Sequence, residues 1–255
     1  MLAVRIFRHS VRQVTGNWEA ALRISAVPTL VLFAVSFLLR SSLARDAAHM
    51  AGPPGPGELA GGLLLVILQA VIGAWIAVAW HRFVLLNERP DGVLPPLHSD
   101  RLQAYIARML LIGVITAGLF VLTAVAASLL GGLLGAGRGP GIGIGVVLGL
   151  VVALGISVLL QRLSLLLPAA AVGKPASLRM AWDATRGQAG TFLMLSILSV
   201  VAAVVVMLPG VLLMHLGLVL LAIAWQVAVQ LGLTLLFLSI LTTLYGLFVE
   251  RRALV

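Results

Sequence analysis

The 255-residue chain is 61% hydrophobic and 10% charged, with mean hydropathy +1.15, so it has too little polar surface to cover a water-soluble domain. Its formal charge of +9 would suit a nucleic-acid binder only if the basic residues clustered on one soluble face; here they punctuate apolar runs, and no nucleic-acid partner is expected. The absence of cysteine excludes disulfides and thiolate metal sites. What remains is an integral membrane protein, all-α, built as a single polytopic domain over residues 1–255.

A span needs roughly 20 apolar residues, and six stretches qualify, at about 21–39, 60–80, 108–134, 142–161, 191–214 and 217–248. Ahead of them, residues 1–20 carry Val4, Phe7, Val11, Val14 and Trp18 at helical spacing, with Arg5, Arg8 and Arg12 off that stripe. This predicts an amphipathic helix lying in the membrane interface. The first span is expected to be retained rather than cleaved as a signal, because its leader contains Trp18 and Glu19 instead of a short basic region. "AGPPGPGE" (51–58) then reads as a turn. The second span contains one mid-span polar residue, Gln69, and its inner end carries Arg82.

The segment before the third span repeats the interfacial pattern less cleanly, with Leu102, Ile106 and Met109 on one face. After the turn "GAGRGPG" (135–141), Gly141, Gly145 and Gly149 form a GxxxG ladder at the start of the fourth span, spacing that suits close helix packing within the hairpin or between copies. Arg162 ends that span, and "LSLLLPAAAV" leads back toward a second interfacial helix at 175–187. There Leu178, Ala181, Trp182 and Thr185 share a face, Arg179 and Arg186 lie on another, and Gly187 is placed as a C-cap. "LPGVLLMHLG" (208–217) reads as an apolar reversal between the last two spans. In the last span Gln226, Gln230 and Thr234 recur every four residues and so share a face, where with Gln69 they either hydrogen-bond between helices or line a polar path.

Orientation follows from counting. With the amino terminus inside, 14 of the 17 basic residues fall on inner segments, and only Arg40, Arg45 and Arg138 fall outside. The positive-inside rule therefore predicts six spans with both termini cytoplasmic. Arginine supplies 16 of the 17 basic residues amid abundant Ala, Leu, Gly and Val, a bias expected of a GC-rich bacterial genome, so the expected location is a bacterial inner membrane. A shift of 171 sets Arg8 on Arg179, Gly16 on Gly187 and Ser25 on Ser196, and a shift of 80 sets Arg82 on Arg162. Three quasi-repeated units, each an interfacial helix and two spans, are the expected architecture.

Chemistry inside a membrane normally shows as buried ionisable groups. None of the eight acidic residues lies mid-span, the five histidines have no metal-ligand spacing, and no nucleophile elbow or P-loop occurs. No catalytic residue, metal or cofactor is therefore expected. Arg82, Arg162, Arg179 and Arg186 are the candidate contacts for lipid headgroups or a partner, since an arginine near the boundary reaches phosphate cheaply.

The three basic amphipathic segments, "RLSLLLPAAAVGKPASLRMAWDATRG" before the fifth span and the terminal "LTTLYGLFVERR" resemble the six-helix membrane domain attached to some bacterial glycerophosphodiester phosphodiesterases, and its stand-alone relatives. The catalytic barrel is absent, and "HRF" (81–83) lacks the glycine and downstream acids of that family's motif, so no activity is implied. The expectation is a non-enzymatic accessory or scaffold that organises anionic lipid, or a partner membrane complex or second copy, through its basic face. The alternative is a transporter or channel for a small solute. An intramembrane lipid-modifying enzyme would need catalytic groups that the sequence does not display.

Overall fold

A computed structural model of the chain describes residues 1–47, 55–92, 94–133 and 141–254. Arg138 lies outside the described residues, as do positions 51–54 and 135–140 of the two expected turns and the side chains of Arg40 and Arg45. The described residues form nine α-helices: α1 (Leu2–Thr15), α2 (Trp18–Ala47), α3 (Pro56–Leu86), α4 (Ser99–Leu133), α5 (Gly141–Leu163), α6 (Leu166–Val172), α7 (Leu178–Ala184), α8 (Ala189–His215) and α9 (Val219–Phe248). Six stretches are long and apolar enough to cross a membrane: within α2, α3 and α4, along α5 and α6 together, and in α8 and α9. The chain is a multi-pass membrane protein.

Helices α3, α4, α5, α8 and α9 neighbour one another in a closed circuit, and α2 lies against α3 and α9. Both termini sit at one end. There Ser10 of α1 donates to Thr243 near the end of α9 (3.2 Å), and Leu2 and Leu254 pack on the same apolar cluster. Lipid tails are as apolar as leucine, so apolar area alone does not hold spans together and polar bonds between helices gain weight. At the terminal end α9 supplies a ladder of them. Trp80 Nε1 donates to Ser239 (3.0 Å), and His81 Nδ1 meets Thr242 Oγ1 at 2.7 Å. Because Thr242 spends its own proton on the Leu238 carbonyl, the imidazole is the donor, and its Nε2 is left enclosed without a partner.

Several boundaries differ from expectation, each for a local reason. α1 ends at Gly16, where a Cβ would stand 2.8 Å from the Arg12 carbonyl oxygen, so only glycine lets the chain turn there into α2. Its enclosed face is Ala3, Ile6 and Ser10, seated on α8 and α9, while Val4 and Trp18 of the expected apolar stripe are exposed. No separate interfacial helix precedes the third span: α4 runs unbroken from Ser99, since nothing between 99 and 109 interrupts its hydrogen bonds. The reversal between the last two spans is confined to Leu216–Leu218 around Gly217 (φ 74°), and α8 passes through Pro209 without ending.

The largest departure follows Arg162. Pro168 cannot donate to the Ser164 carbonyl, so Leu167 bonds it instead at 3.0 Å and the chain breaks into a tighter turn. The segment after it, α6, does not return along the interface. It tucks against α3, α4 and α9, with every residue from Leu166 to Ala171 buried. α6 ends at Gly173 (φ 75°), across which the Arg101 guanidinium lies so closely that a Cβ would stand 2.5 Å from it.

The positions paired by the internal shifts do not share surroundings. Gly16 has φ −75° and Gly187 has φ 76°; α1 seats on α8 and α9, whereas α7 seats on α5.

Candidate functional site

The basic residues of the terminal end fall into two kinds, those paired with an acid and those that meet none among the described residues. Arg82 belongs to the first kind. Asn87 ends α3 in the left-handed conformation (φ 55°) and turns the chain back, so that Glu88 takes the Arg82 guanidinium at 2.6–2.8 Å and His98 at 2.9 Å. Arg82 also donates to the Ala171 carbonyl at 3.2 Å, tying α3 to α6. Arg82, one of the expected lipid or partner contacts, thus sits in an internal clamp. Lys174 and Arg252 similarly share Glu250, each at 2.6 Å, and the Glu250 hydrogen bond holds the lysine above its ordinary pKa. A groove of about 470 Å³ runs past Asn17, Trp18, Arg23, Phe83 and Arg89, but Arg23 is matched there by Glu19 at 2.7 Å.

Arg162 is the other kind. It is 8% exposed, in the last turn of α5, and among the described residues no acidic side chain pairs with it. Its guanidinium carbon lies 4.7 Å from the ring centre of Trp182 on α7 and 6.0 Å from that of Phe192 on α8. Its Nε is enclosed without a hydrogen-bond partner, whereas its two terminal nitrogens keep access to the outside and bond nothing among the described residues. Beside it, Gln161 donates to Ser196 and to the Phe192 carbonyl (3.4 Å), and Ser196 meets Ser157 at 3.0 Å. The Gln161 carbonyl oxygen is enclosed and unmet. The seam between α5 and α8 thus holds a cation, an orphaned acceptor and an aromatic roof.

Magnitudes show that this arrangement is incomplete by itself. Removing a guanidinium from water costs several kcal/mol after relaxation. A desolvated cation–π contact returns about 2 kcal/mol, and the α5 carboxyl end at most about 2 kcal/mol. A bound anion would make up the difference, and a planar fork of donors suits a phosphate oxygen pair. Arg179 and Arg186, whose side chains are 93% and 79% exposed, stand on the same short helix as Trp182 and share one carboxylate, Asp183, at 3.8 and 3.3 Å. Three guanidinium groups around a single acid leave this face positive.

The other expected groups are not assembled. Trp80 and His81 bond Ser239 and Thr242, so α3 and α9 run parallel and Gln69 stands level with residues 228–230. At 100° per residue Gln69 lies within about 20° of Trp80 on the α9-facing side of α3, while Gln226 and Gln230 lie about 120–180° from Ser239 and Thr242, on the side of α9 away from α3. The three carboxamides are exposed and make no hydrogen bond among the described residues, and Thr234 is half-buried on the same side as the α9 pair. Among the described residues, then, they bond across no helix pair. A Cβ on Gly149 would meet nothing within 4 Å, so no close helix approach occurs there, and the surroundings of Gly141 and Gly145 lie outside the described residues.

Sequence reasoning missed the partners rather than the cation. Trp182 was visible only as part of an apolar stripe, and Phe192 and Gln161 carried no signal at all. A tryptophan 20 residues beyond a membrane-end arginine is a cue only once α6 is known to fold inward. Among the described residues no group of three His, Cys, Asp or Glu side chains is placed to hold a metal ion. The chain matches no family model, no curated protein and no solved structure.

Proposed function

We propose that this protein is a non-enzymatic accessory or scaffold of a bacterial inner membrane, holding anionic lipid, and through it a partner complex, at a cytoplasmic end that carries both termini. The observation that supports this reading is Arg162: a nearly enclosed guanidinium without an acid, roofed by Trp182 and flanked by Arg179 and Arg186. The bias of basic residues toward that end agrees with it, since anionic lipid attracts nearby cations by about 1 kcal/mol each. The reading also fits kinship with the six-helix membrane domain that the sequence resembles, which we propose without its phosphodiesterase activity.

Extraction in a mild detergent followed by native mass spectrometry tests this. Retained phosphatidylglycerol or cardiolipin, alone or with a stoichiometric partner protein, is the expected result. A chain that carries neither anionic lipid nor partner overturns the reading.

A further inference from the structure

We infer that Arg162 and Trp182 form a specific seat for one phosphate ester group, that of an anionic phospholipid whose headgroup enters beside α7. The inference rests on the lipid-holding reading above and narrows it from a charged face to one site. Two observations carry it. The guanidinium is 8% exposed and unpaired, yet its terminal nitrogens, the two that can grip a phosphate side by side, are the atoms left accessible. The ring of Trp182 covers one face of the guanidinium at 4.7 Å and is itself half exposed, so the seat opens at the rim of the bundle, where headgroups lie. By contrast, Arg82, the equivalent arginine at the end of α3, is satisfied by Glu88 and carries no such seat.

The ion's own energetics supply the test. If Arg162 served packing alone, its removal would destabilise the protein under all conditions. If it awaits an anion, Arg162→Met relieves an uncompensated charge and removes the lipid response. We would measure thermal unfolding midpoints and native mass spectra of delipidated wild type, Arg162→Met, Arg162→Lys and the charge-matched surface control Arg5→Gln/Arg8→Gln on α1, with added phosphatidylglycerol, phosphatidylcholine or inorganic phosphate. Expected are one tightly held phosphatidylglycerol on the wild type, at least tenfold weaker retention by Arg162→Met with an unchanged or higher lipid-free midpoint, intermediate retention by Arg162→Lys, and near wild-type retention by the surface control. Inorganic phosphate that competes with the lipid one for one supports the phosphate seat and assigns it to the free ion. Equal retention by wild type and Arg162→Met overturns the seat while leaving the lipid-holding reading intact. A midpoint lowered by Arg162→Met with an undiminished lipid shift also overturns it. Wild type that retains no anionic lipid defeats the broader reading instead.

Discussion

The two halves of the bundle are built on different physical terms. At the terminal end, side chains of α1, α3, α6, α8 and α9 enclose one another, and Trp80, His81, Phe192, Leu195, Leu244 and Tyr245 are almost wholly buried. At the far end, no residue of α4 between 113 and 129 and none of α8 between 197 and 209 is buried. Hydroxyls there turn back on their own helix, as Thr123 does to the Phe120 carbonyl and Ser128 to that of Val125. At the terminal end Ser10 and Ser157 turn back in the same way but also meet hydroxyls of other helices, and Ser239 accepts from Trp80. At the far end the Trp225 indole donates to the Val206 carbonyl at 2.9 Å, so the contrast is one of density: hydropathy sets where a helix lies, and polar and aromatic contacts, most of them at the terminal end, set which helices meet.

The sharpest way to break the contrast is truncation at matched chemistry. Leu244→Ala, at a fully enclosed site between α1 and α8, is expected to cost about 2–5 kcal/mol. Leu220→Ala, 83% exposed at the far end, is expected to stay within about 0.5 kcal/mol. Thermal unfolding in one detergent checks both, and equal losses would erase the distinction between the halves. Next in size, Thr242→Val removes the acceptor of the His81 N–H and is expected to cost about 1–3 kcal/mol. His81→Leu combined with it should recover part of that loss, because no buried donor is then left unmet.

Smaller still is the Lys174–Glu250 pair. The folded pKa of Lys174 is raised, so its contribution is complete below the ordinary lysine value of 10.5 and fades as pH rises past it. With the lysine side chain 52% exposed, that contribution is about 0.2–0.5 kcal/mol after screening. Comparing wild type with Lys174→Met at pH 8 and at pH 11 should show a gap that is narrower at the higher pH. The smallest effect is expected at Gln226→Ala/Gln230→Ala. Both carboxamides are exposed and unbonded among the described residues, so the unfolding midpoint should not move. A clear drop would mean that they meet a partner in the detergent particle.

How much of this was legible in the chain depends on the kind of signal. The six spans follow from apolar runs longer than a membrane is thick, a local property that any neighbour leaves unchanged. The left-handed Gly187 was legible for the same reason, being a backbone effect of a single residue, whereas the end of α1 at Gly16 was not read from the sequence. The candidate site was half legible. Arg162 stood out as a charge against an apolar background, but Arg82 looked equivalent, and nothing local reveals that Glu88 folds back onto one and no acid onto the other.

By itself, then, the sequence determined that the chain lives in a membrane, how often it crosses and where its cations collect, because burial in lipid depends on composition over a span's length. Only the tertiary structure decided that α6 folds inward, that Trp182 roofs Arg162, and that Gln69 stands apart from Gln226 and Gln230. Those outcomes depend on which faces meet across distances of tens of residues. In a solvent as apolar as the helices themselves, that choice is made by a few polar and aromatic contacts rather than by the apolar pattern.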